Sequence, residues 1–114
     1  MIKLKRVYEK PSPADGTRIL VERLWPRGLT KKRAAVDLWL KEIAPSAELR
    51  KWYGHDPEKW EQFQVRYTKE LRQNKEAIQT IREEAKKDVL TFVFAARDEK
   101  RNSAMVLKNF LERQ

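Results

Sequence analysis

The chain has 114 residues, 40% hydrophobic and 38% charged, with a formal net charge of +9. That length feeds one core and hardly two, so a single domain over residues 1–114 is expected, and four Trp with four Phe argue against disorder. The absence of cysteine excludes disulfides and thiolate chemistry, and no run approaches the ~20 apolar residues of a membrane helix.

Ile2 and Leu4 alternate with Lys3 and Lys5, the period of a half-exposed strand. The N-terminal segment lacks the apolar stretch of a signal peptide, so a cytoplasmic protein is expected. KPSPADG at 10–16 carries two prolines and an Asp-Gly pair and reads as a turn. TRILVERL at 17–24 is a second strand, with Ile19 and Val21 on one face and Leu20, Glu22 and Leu24 on the other. RLWPRG follows from residue 23, an unusual concentration of cationic and aromatic groups for a strand exit.

From Thr30 the pattern turns helical through Ala35, Leu38, Trp39 and Ile43 and stops at Pro45. Ser46 caps a short helix, SAELRKWY, which Gly54 closes. Asp56-Pro57 starts a long helix whose Trp60, Phe63, Tyr67, Leu71, Ile78 and Ile81 form one apolar stripe. Asn74 interrupts the stripe and marks a bend or a break. DVLTFVFAA at 88–96 is apolar and β-branched throughout its centre, as a strand covered on both faces should be. RDEKRNS leads into a closing amphipathic helix over 103–114. The expected fold is a small α/β domain of about three strands with helices packed on the sheet. Strands two and three are expected to be parallel; the direction of the first is left open by the short 10–16 connection.

Charge is uneven along the chain: residues 1–54 hold 13 Lys/Arg against 6 Asp/Glu, and residues 55–114 hold 13 against 11. A basic excess of this kind suits a phosphate-rich or otherwise anionic partner, and equally serves solubility. In open α/β sheets ligands collect at the carboxyl ends of parallel strands. Arg23, Arg27 and Arg97 lie at such exits and are the candidate anion ligands, since guanidinium groups match carboxylate and phosphate bidentately. Asn102 and the start of the last helix would add backbone donors. Trp25 and Trp52 either stack on a ligand ring or fill the edge of the core. His55 is the sole histidine, and with Asp56 or Asp98 it is the candidate proton-transfer group. One histidine and no cysteine do not make a metal site, three scattered glycines do not make a phosphate loop, and the sequence names no cofactor.

The run from DGTRILVERLWPRG through WYGHDPEKW, F-x-x-R-Y and AARDEKRNSAMVL resembles the YeaO-like branch of the family called domain of unknown function 488 over essentially the whole chain. The resemblance implies a compact α/β domain with a Rossmann-like, mostly parallel sheet, and it assigns no reaction. Two positions depart from the family's usual pattern: Glu22 stands where aspartate is usual, and Arg101 precedes Asn102 where histidine is frequent. The second departure removes any two-histidine mechanism. The function expected is that of a small-ligand protein or enzyme binding a nucleotide-like or other anionic small molecule; the alternative is a basic nucleic-acid-binding or accessory module without catalysis, with no membrane partner.

Overall fold

A computed structural model of the chain describes residues 1–113. Four parallel strands form one sheet in the order β1-β4-β2-β3: β1 (Ile2–Arg6), β2 (Thr17–Leu20), β3 (Leu38–Trp39) and β4 (Leu90–Phe94). Five α-helices accompany it: α1 (Lys31–Ala34), α2 (Ala47–Tyr53), α3 (Trp60–Gln73), α4 (Lys75–Lys87) and α5 (Ser103–Arg113). The parallel α/β expectation holds. β1, whose direction the sequence left open, pairs parallel with β4 in the register Ile2 to Leu90.

β4 is the central strand and is buried at all five positions. One sheet face packs Ile19, Val21, Leu90, Phe92 and Phe94 against the helices, whose Phe63, Tyr67, Leu71, Ile81 and Leu107 complete the main core. The apolar stripe read from the sequence is the face of α3 and α4 turned inward. Its interruption at Asn74 is a true break, where the side-chain amide donates to the Glu42 carbonyl at 2.6 Å.

The stretch from Thr30 to Pro45 folds differently from the helix its periodicity suggests. α1 lasts one turn, and Ala35 then adopts a left-handed conformation with φ 50°. The chain re-enters the sheet as β3, with Leu38 opposite Ile19 and Trp39 opposite Leu20. Asp37 secures the crossing by donating its amide to the Arg18 carbonyl and accepting the Arg18 amide on its carboxylate, at 2.9 and 2.8 Å. Pairing with a strand distant in sequence outweighs a local preference worth only tenths of a kcal/mol per residue. β3 is thus a fourth strand, beyond the three expected. β2 ends at Leu20, and Glu22 leaves the ladder.

The second sheet face is closed by loops. Leu20, Val93, Val7 and Ala34 form a small cluster with Trp25, Leu29, Val36 and Trp39. Trp25 meets Trp39 edge-on at 5.4 Å and donates its indole N–H to the Leu29 carbonyl at 2.7 Å. At the other end of this face the buried Arg18 guanidinium reaches the Asp15 carboxylate at 2.7 Å and the carbonyls of Ala34 and Ala35 at 2.8 and 3.0 Å. Burial acts to raise the Asp15 pKa, but hydrogen bonds from the Ser12 amide, Arg18 and Lys5 outweigh it and hold the carboxyl below its ordinary value. Gly16 is required here: its φ is +64°, and a Cβ would lie 2.2 Å from the Val89 carbonyl oxygen.

Candidate functional site

Because the strands are parallel, the exits of β2 and β4 emerge on the same edge of the sheet, two residues before Glu22 and Ala96 respectively. Helix α5 begins beside them and α2 faces them. Between these elements lies a cleft of about 310 Å³ whose polar lining is Glu22, Arg50, Lys51, His55, Arg101 and Ser103, with Tyr53, Phe63, Pro45, Ala96 and Asn102 completing the wall.

Each polar group has a local reason for its position. Ser46 caps α2 by accepting the Leu49 amide at 3.2 Å, and its own amide and hydroxyl donate to the two Glu70 oxygens at 2.9 and 2.7 Å. That fixes α2 on α3, so Arg50 and Tyr53, three residues apart, share one helix face. Gly54 closes α2 in the left-handed region at φ 52°, and His55 remains there at φ 56°. A left-handed conformation is uncommon outside glycine. These two consecutive turns bring His55 to the mouth of the cleft, where its ring stands 6.0 Å from that of Tyr53.

Asn102 is buried and accepts the Met105 amide at 2.9 Å, capping α5, while its side-chain amide donates to the Asp98 carbonyl at 2.9 Å. The first amides of α5 point toward the cleft end of the helix, where the backbone dipole favours negative charge. Arg101 is held by a bond from its Nε to the Asp98 carboxylate at 3.0 Å. Asp98 also accepts the amides of Arg101 and Lys100, and these bonds, the Arg101 amide foremost, keep its pKa below the ordinary value.

Glu22 is the one carboxylate on the lining. One of its oxygens accepts the Ala95 amide at 3.1 Å. Burial pushes its pKa up, opposed by that amide and by the charges of Arg50 and His55. Burial likewise raises the phenols of Tyr53, helped by Asp98, and of Tyr67, whose hydroxyl donates to the Ile43 carbonyl at 2.6 Å deep in the core. The lining therefore carries three permanent cations, an imidazole and one carboxyl disfavoured as an anion.

Of the residues singled out from sequence, the cleft gathers His55 and Asn102. Arg23 does not line it; its guanidinium donates to the carbonyls of Pro45 and Ala44 at 3.1 and 3.3 Å and so positions one wall. Arg27 and Arg97 are exposed and lie outside the lining. Trp25 belongs to the second-face cluster. Trp52 is partly buried against the main core rather than on the cleft lining, with the Arg66 guanidinium 4.1 Å and the Lys59 ammonium 5.2 Å from its ring centre. Asp56 caps the turn at Pro57 by accepting the Glu58 amide at 3.0 Å. The common hollow at the strand exits is present, but its cations are Arg50, Lys51 and Arg101. Arg50, Lys51 and Arg101 were missed from the sequence; the one signal that could have found Arg50 is its three-residue spacing from Tyr53 on the short helix. Among the described residues, no group of three metal-ligating side chains comes together, and no helix is long and apolar enough to cross a membrane.

Fold and cleft together define a small parallel α/β protein with a cationic hollow at the carboxyl edge of its sheet. The chain belongs to the family described as the inactive DUF488-N3 subclade, whose model matches residues 1–114. It is 42% identical over 110 residues to the uncharacterized protein YeaO of Escherichia coli K12, covering 96% of each chain. It is also 42% identical over 110 residues to uncharacterized proteins of Mycobacterium tuberculosis H37Rv and Mycobacterium bovis, covering 96% of this chain and 92% of theirs. No solved structure matches it significantly. Glu22 and Arg101 both fall on the cleft lining.

Proposed function

We propose that this protein binds a small anionic ligand, bearing phosphate or carboxylate, in the cleft at the exits of β2 and β4, and that its role there is recognition. The observation that carries this reading is the convergence of Arg50, Lys51 and Arg101 with the start of α5 on one hollow of about 310 Å³. Guanidinium groups and helix-terminal amides recognise the same ligand chemistry by different means, charge-assisted forks in one case and oriented dipoles in the other. The apolar floor from Tyr53 and Phe63 suits a ligand with a ring attached to its anion, as in a nucleotide-like molecule.

Recognition without turnover is favoured by the description of the family as inactive and by the carboxylates. Asp56 and Asp98 are each committed to backbone amides, which leaves His55 without a carboxylate dedicated to steering it. Glu22 would then accept a donor from the ligand rather than a proton in a reaction. Titration with inorganic phosphate and with adenosine monophosphate, followed by calorimetry, tests the reading. Saturable binding is expected, weakened on the order of tenfold or more by Arg101→Gln or Arg50→Gln, since a hydrogen bond to a charged group contributes about 1.5–3 kcal/mol. Binding that both substitutions leave unchanged would remove the cleft from consideration.

A further inference from the structure

A second opening lies on the loop-covered side of the sheet. Tyr8, just beyond β1, is 43% exposed, and the Arg6 guanidinium stands 5.2 Å from the centre of its ring. The Tyr8 hydroxyl donates to the Arg27 carbonyl at 3.1 Å, which fixes the ring against the 23–28 loop. Beside it runs an open groove of about 690 Å³, more than twice the volume of the cleft, lined by Tyr8, Lys10, Pro11, Leu29, Lys32 and Arg33 along with Val7 and Glu9.

Three of these lining residues are cationic and come from segments some twenty residues apart in the chain. Among the described residues, Lys10, Lys32 and Arg33 make no ion pair; the pairs present involve Lys5, Arg18, Lys87 and Arg101. Glu9 is the one acid on the lining, and its carboxylate already accepts the Arg6 amide at 2.9 Å. The groove thus combines positive charge that makes no ion pair among the described residues with an aromatic ring tied through its hydroxyl to the Arg27 carbonyl.

We infer that this groove binds single-stranded nucleic acid, with Lys10, Lys32 and Arg33 on successive phosphates and Tyr8 stacking on a base. An anionic polymer is favoured over a single phosphate because the groove is open, is larger than the cleft, and takes its cations from two separate segments. A ring with its hydroxyl tied to backbone presents a face, the surface on which unpaired bases stack. A lipid surface would call for a convex apolar protrusion, whereas this site is concave.

Fluorescence anisotropy with a labelled short oligothymidylate tests the inference. The wild-type protein should bind it, with log K falling against log salt by about 0.7 per phosphate contacted, or roughly 2 in all. Lys32→Gln with Arg33→Gln should flatten that slope by about 1.4. Tyr8→Ala should weaken binding roughly five- to hundredfold, the range of one lost base stack, while Tyr8→Trp keeps it. Circular dichroism melts of each variant separate a lost contact from a lost fold. Arg50→Gln, in the other opening, should leave oligothymidylate binding unchanged, so this inference and the cleft reading fail separately. The inference is overturned by no binding at low salt, by binding insensitive to Tyr8→Ala, or by loss on Arg50→Gln. It is also overturned if vesicles of phosphatidylserine and phosphatidylcholine bind as tightly with the same sensitivity to Tyr8→Ala.

Discussion

The two faces of the sheet are closed by different means. On one, Phe92, Phe94, Ile19 and Val21 meet α3, α4 and α5 in a continuous apolar core, where many small dispersion contacts share the load. On the other, one turn of helix and two loops cover the strands, tied by Arg18 to Asp15, Ala34 and Ala35 and by Trp25 to Leu29. The first face is redundant; the second depends on a few directional bonds. Each leaves an opening of matching character. The cleft is framed by helices and has an apolar floor, and the groove is framed by loops and lined by unpaired cations.

The contrast is broken most directly at Arg18. Arg18→Ala should cost about 3–5 kcal/mol in urea denaturation, because it removes one partner of a buried ion pair and leaves the Ala34 and Ala35 carbonyls without their donor, while Lys5 and the Ser12 amide still hold Asp15. A loss no greater than that of an exposed arginine would show that the loop ties carry no weight. Trp25→Ala should come next, about 3 kcal/mol, at the low end for tryptophan truncation because the ring is half-buried. On the helix-covered side, Tyr67→Phe removes one bond to Ile43 without opening a cavity and should cost about 1–2 kcal/mol.

Acid should distinguish the faces as well. The Asp15 pKa is lower folded than its ordinary 3.8, so its contribution is complete above that value and is lost as pH falls through the folded pKa. Glu22 has the opposite sign. Its folded pKa lies above 4.5, so protonation as pH drops toward 4.5 favours the native state. Unfolding curves across this range should show Asp15→Asn removing the acid-labile part and Glu22→Gln removing the acid-stabilised part. Smallest of all, Arg27→Ala should change stability by no more than about 0.5 kcal/mol, as surface positions do.

Much of this architecture was legible in the residue pattern. The central strand announced itself through LTFVF, the inward stripe of α3 and α4 through its three- and four-residue steps, and the helix stops through Gly54 and Asn74. Those signals are local, set by side-chain periodicity and backbone preference within one segment. β3 was not legible, since Leu38 and Trp39 fit a helical period and become a strand only because Ile19 and Leu20 offer an edge. The hollow at the strand exits was foreseen, yet its cations were not: Arg23 turns back to Pro45, and Arg27 and Arg97 face solvent, while Arg50 and Arg101 arrive on α2 and the start of α5. A parallel sheet fixes where strand exits open, and the alternation of residues reveals the strands. Which charges reach that opening depends on how helices distant in sequence dock around it, and that is decided by packing.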